Sequence, residues 1–114
     1  GNQGWYERGK IRPLFDQQPV DAASICFACY EAYRLVGKNE FLYLSNQAYN
    51  WYYGENIHHI PLYCESSGGC YDALTADGIN LNQGAEAALS LLLTDQLMQG
   101  DVTSSSIDKI KREA

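Results

Sequence analysis

The stretch whose reading decides the fold is residues 83–99, QGAEAALSLLLTDQLMQ. Ala, Leu and Gln are strong helix formers. Ala85, Ala88, Leu89, Leu92, Leu93 and Leu97 recur at the three- and four-residue spacing of a helix. These apolar positions cover more than one stripe, which predicts the most buried helix of the protein. Gly100 is expected to close it.

Two further helices are predicted upstream. Pro19 suits a first helical turn, where its missing N–H costs nothing, with Gln18 or Asp16 near the cap. Asp21 places negative charge at the positive end of the helix dipole. Val20, Ala23, Cys26 or Phe27, Tyr30, and Tyr33 or Arg34 continue the apolar period to about residue 36. Gly37 is placed to end the helix in the left-handed conformation. Asn39, a good N-cap, opens a second helix that reaches Gly54. Its apolar face comprises Phe41, Leu44 or Leu42, Ala48, Trp51 and Tyr52. So short a link predicts an antiparallel hairpin.

The rest of the chain reads as connection. Residues 1–18 form an extended lead-in, and residues 101–114 a short tail helix using Ile107 and Ile110. Residues 55–82 hold Pro61, Gly68, Gly69 and Gly78 among many polar residues. Loops of that length are uncommon and often functional. The expected fold is therefore all-α: one domain over residues 1–114, with three to four helices in antiparallel hairpins and one long polar loop.

Composition supports one ordered domain. The 114 residues are 46% hydrophobic and 12% aromatic, which argues against disorder. The net charge is −6, but both ends are basic, and the middle sets Arg34 and Lys38 against eleven carboxylates. A nucleic-acid reader needs a basic stripe, so nucleic acid is not an expected partner. Anionic membrane surfaces are disfavoured for the same reason. No apolar run approaches the ~18 residues of a membrane span, and no signal peptide is visible, so a cytoplasmic location is expected. An acidic, amide-rich and aromatic surface fits a neutral ligand rich in hydroxyls.

Several constellations bear on chemistry. Cys26, Cys29, Cys64 and Cys70 could supply four thiolates to zinc, or Cys64 and Cys70 could form a loop disulfide. The first pair lies on a helical apolar stripe, where free cysteine acts as a small hydrophobe. Core and loop thiols are the reading adopted, with no metal and no cofactor. His58 and His59 read as exposed loop residues without a special role. Phosphate loops and nucleophile elbows are absent, so a nucleotide donor would bind another domain.

Amides and carboxylates gather before two helix starts: Asp16, Gln17 and Gln18 before the first, and Asn80, Asn82 and Gln83 before the last. Glu86 lies one turn inside, and Asp72 and Asp77 lie between the two groups. Such residues cap helices, and paired carboxylates also suit glycoside chemistry. The helix dipole favours Glu86 as a base or hydrogen-bond acceptor over an acid. Trp51, Tyr52, Tyr53 and Tyr71 are candidates for stacking on sugar faces.

These residues carry a resemblance. GWYERG (4–9), FDQQPVDAA (15–23), GGCYD (68–72) and NQGAE (82–86), in this order, resemble the C-terminal, α/α-toroid-like regions of bacterial glycosyltransferase-family proteins. Such regions are similar to six-hairpin, glycosidase-like toroids that hold a saccharide at one rim. The resemblance implies that the chain is an arc of a larger toroid, inactive alone. It would act on saccharides within a glycosyltransferase or glycosidase-like protein, or serve as a non-catalytic saccharide-binding or helical interaction module. If there is catalysis, the resemblance nominates Asp16, Asp72 and Glu86 for acid–base work. It nominates Gln17, Gln18, Tyr71, Asn82 and Gln83 for substrate binding. The expected partners are a saccharide and an upstream domain or second copy covering exposed helix faces. Cys64 stands where relatives tend to carry Asp, and Ala87-Ala88 where they often carry Ser-Thr.

Overall fold

The computed structural model describes the backbone of residues 4–113 and the side chains of residues 4–100. Helix α1 spans Pro19–Val36, and α2 spans Asn39–Asn50 and tightens into a 3-10 turn at Trp51–Tyr53. Strands β1 (Ala73–Thr75) and β2 (Gly78–Asn80) precede α3 (Ala85–Glu113). The fold is mostly helical, but the all-α expectation is corrected by the small antiparallel sheet, in which Leu74 pairs with Ile79.

Local chemistry sets the ends of α1. The Gln18 N–H donates to the Asp21 carboxylate at 3.2 Å, and the Asp21 N–H returns to the Gln18 carbonyl at 3.0 Å. This pairing occupies N–H groups that a helix start leaves orphaned. At the other end Gly37 takes φ 76°, and its N–H bonds to the Tyr33 carbonyl at 2.7 Å. Lys38 is extended, and α2 runs back along α1. The antiparallel sense shows in Tyr52, after the end of α2, whose hydroxyl donates to the Pro19 carbonyl at the start of α1 at 2.6 Å.

Ser45 joins the three helices. Fully buried, it donates to the Cys26 carbonyl of α1 at 2.9 Å and lies 3.6 Å from Met98 Sδ of α3. The core cluster draws on every layer: Ala22, Tyr52, Leu62, Cys70, Leu74, Ala87 and Leu91. Each fully buried leucine contributes roughly 1.5–3 kcal/mol.

The structure corrects the expected face of α3. Its buried side is Ala87, Ser90, Leu91 and Thr94, while Leu89, Leu92 and Leu93 stay 56%, 55% and 45% exposed. Small residues let α3 approach the bulky Tyr52 closely, and the Thr94 hydroxyl is satisfied by the Ser90 carbonyl at 2.7 Å. On α1, Ala23, Cys26 and Tyr30 face inward as expected, whereas Val20 and Phe27 are exposed.

Gly100 does not stop α3, which continues to Glu113. A helical glycine costs about 1 kcal/mol relative to alanine, too little to break a helix with helix formers on one side and continuing structure on the other. The separate tail helix expected over 101–114 is thus the end of α3 through Glu113; its side chains and Ala114 lie outside the described residues.

The long loop is also a core element. Leu62, Cys70 and Leu74 are buried, and the Leu62 and Tyr63 N–H groups both reach the Tyr52 carbonyl. Asn56 folds its first turn, donating to the Trp51 and Ile60 carbonyls and accepting from the His58 and Ile60 N–H groups. Among the described residues no helix is long and apolar enough to cross a membrane.

Candidate functional site

The lead-in is fastened at one residue. Gln17 and Leu74 exchange backbone hydrogen bonds of 2.9 and 2.8 Å, so residue 17 lies as a third edge against β1. Phe15 stacks on the His58 ring, with centroids 5.1 Å apart, and His58 Nε2 lies 2.7 Å from the Thr75 carbonyl. His58 is therefore a half-buried clamp between lead-in and hairpin, which corrects its reading as an idle loop residue. His59 is exposed.

This fastening places Asp16, Gln17 and Gln18 at the mouth of a groove between α1 and α2. The cavity has a volume of about 540 Å³, within the range of small-molecule sites. Asp21, Ala22 and Ile25 of α1 form one wall, and Leu44, Gln47, Ala48 and Trp51 the other. Glu55, just after the α2 end, and Arg12 and Phe15 of the lead-in complete the lining. The polar groups sit where α1 begins and α2 ends, and the apolar Ile25 and Leu44 lie further along the hairpin. Three carboxylates face one arginine, so the lining favours a neutral or weakly cationic ligand. The Trp51 indole N–H donates to Gln17 Oε1 at 3.0 Å, which fixes the plane of the ring.

The other nominated residues lie elsewhere. Asp72 Oδ1 accepts the Gly84 N–H at 2.7 Å immediately before α3, and a Cβ at Gly84 would sit 3.0 Å from that oxygen. Gln83 Oε1 accepts from the Ser67 hydroxyl at 2.6 Å, and the Asn82 N–H donates to Asn80 Oδ1 at 3.0 Å. Asp72 and Gln83 thus fix the start of α3 against the loop. Glu86 and Asn82 are exposed. Asp72, Tyr71, Asn82, Gln83 and Glu86 do not line the groove.

Tyr71 belongs to a second cluster. Hydrogen bonds from Ser66 (3.3 Å), Ser67 and Tyr71 stabilise the Cys64 thiolate and bring the thiol down to about 6, against a small opposing effect of burial. The same bond to Cys64 raises Tyr71. Cys70 is pushed up to about 12 by burial and then by Asp72. All four cysteines are free, and Cys26 is buried against Ser45. The loop disulfide between Cys64 and Cys70 is therefore not formed. Among the described residues no three His, Cys, Asp or Glu side chains converge as a metal site.

Sequence reasoning missed Asp21, Gln47 and Glu55 as groove residues. Their signal is helical spacing: 18, 21, 22 and 25 on α1, and 44, 47, 48, 51 and 55 on α2 and its extension. On the apolar pattern alone, Trp51 reads as core. Compared with known proteins, the chain matches no protein-family model, and no curated protein is significantly similar to it.

Proposed function

We propose that this chain is a saccharide-binding domain of a carbohydrate-active protein, of the glycosyltransferase or glycosidase-like kind its motifs resemble. The observation that carries the reading is the α1–α2 groove, where Asp16, Gln17 and Gln18 face the fixed Trp51 ring. Aromatic faces pack against the C–H surface of a sugar, and carboxylates and amides accept and donate to its hydroxyls. Asp16 is the nominated carboxylate that faces the ligand, and Asp72 builds the start of α3. The α1–α2 hairpin fits an arc of an α/α-toroid, and four free thiols fit a reducing, cytoplasmic setting.

Titration calorimetry with a panel of neutral saccharides tests this. Binding is expected in the unmodified chain and is expected to fall at least about tenfold in Asp16→Asn and Trp51→Ala. Catalysis is tested in a longer protein that contains this chain, by kinetics of Asp16→Asn, Asp72→Asn and Glu86→Gln. Unchanged turnover in all three variants would leave a non-catalytic binding domain.

A second reading rests on the α3 leucines. Leu89, Leu92 and Leu93 form an exposed apolar strip, and such patches mark interaction surfaces. An upstream domain or a second copy covering them would make the chain a helical interaction module. Sedimentation of the chain and of Leu92→Glu tests it.

A further inference from the structure

We infer that the groove is built for an oligosaccharide, with a second sugar position beyond Glu55; the inference rests on the saccharide reading above. A second depression of about 340 Å³ adjoins the first, and Gln47 and Glu55 line both. Its remaining lining is Gly54, Asn56 and His59. Gly54 adopts φ 104°, a backbone conformation that favours glycine, and a Cβ there would meet Pro61.

Asn56 is the floor of this second position rather than a contact. Both its amide hydrogens go to the Trp51 and Ile60 carbonyls, and its oxygen takes the His58 and Ile60 N–H groups. Gln47 Nε2 donates one N–H to the Tyr43 hydroxyl at 3.0 Å, so the groups available to a ligand are the Gln47 amide oxygen and second N–H, Glu55 and the exposed His59 ring. His59 is held at φ 53°, the one left-handed residue other than glycine among the described residues. Histidine is enriched in that conformation, and such backbone outliers cluster at ligand-binding segments. A carboxylate shared by two adjoining depressions marks the link between consecutive sugar units.

The experiment is calorimetry of the full chain with linear gluco-, manno- and galacto-oligosaccharides of one to four units. Affinity is expected to rise about tenfold from one unit to two or three. His59→Gly, which keeps the left-handed backbone and removes the ring, should abolish that increment and leave monosaccharide affinity unchanged. Glu55→Gln should weaken one-unit and longer ligands alike. Affinity independent of chain length, or an equal loss for all lengths in His59→Gly, would overturn the second position while the first stands. No binding anywhere on the panel would overturn both.

Discussion

The indole N–H of Trp51 donates to the side-chain oxygen of Gln17 at 3.0 Å, tying the end of the α1–α2 hairpin to the lead-in. Gln17 is itself held by two backbone bonds to Leu74, so β1, lead-in and Trp51 form one connected support. Replacing Gln17 with leucine leaves the half-buried indole N–H without its partner. The expected cost is about 1 kcal/mol, read as a lower urea midpoint by tryptophan fluorescence. Saccharide affinity should fall in parallel as the ring loosens.

Ser45→Ala removes the hydrogen bond that links the three helices. Ser45 is fully buried, and its hydroxyl serves the Cys26 carbonyl, so a loss of about 1–2 kcal/mol is expected. Urea unfolding should show a lower midpoint with an unchanged slope, because the compactness of neither state alters.

Asp72 and Asp16 should separate by their phenotypes. Asp72→Ala strips the N–H of Gly84 of its acceptor and should destabilise the fold by about 1 kcal/mol, with saccharide affinity unchanged. On the proposed reading, Asp16→Asn, at the groove, should lower saccharide affinity. Paired thermal melts and calorimetry on the two variants check this.

Cys64 should be mostly thiolate at neutral pH, since the Ser66, Ser67 and Tyr71 hydrogen bonds hold it at about 6. A thiol depressed on folding stabilises the fold above its ordinary range near 9 and loses that contribution as pH falls through 6. Stability measured against Cys64→Ser should therefore rise between pH 6 and 9. Thiolate absorbance near 240 nm should titrate at higher pH in Ser66→Ala.

Alkali should act through the core. Burial pushes Tyr52 and Cys70 up to about 12 from ordinary values of 10 and 9. Groups raised on folding contribute fully below their unfolded values and lose that contribution as pH climbs toward 12. Stability should thus decline from about pH 9 upward, and Cys70→Ala should flatten the first part of that decline in urea titrations.

How much was legible differs by element. The bounds of α1 follow from Pro19, Asp21 and Gly37, residues whose effect is local, and the structure keeps them. Asp77-Gly78 between Leu74 and Ile79 is a hairpin cue, yet strands of three residues give too little alternation to outweigh the helical pattern around them. On α3 the leucines dominate the apolar pattern, but the packed face carries Ala87, Ser90 and Thr94 with the single leucine Leu91, which leaves room for Tyr52. Which face turns inward depends on the shape of the neighbour, and periodicity alone does not contain that shape.

The site divides in the same way. Asp16, Gln17 and Gln18 were visible as a polar cluster before a helix, and the groove opens beside them. Asp72 and Gln83 look alike in sequence but are used in holding the start of α3. By itself the sequence determined the three helices, both ends of α1, the hairpin and the acidic, amide-rich chemistry, because each arises from neighbours a few residues apart. The N-cap of α2 is Lys38 rather than Asn39, and Gly100 does not end α3. Only the tertiary structure decided which amides face a groove, that Glu55 and Gln47 join them, and that α3 leaves its leucines outside. Those outcomes depend on how separate elements pack, where a single buried tyrosine and one strand pairing at Gln17 set the geometry.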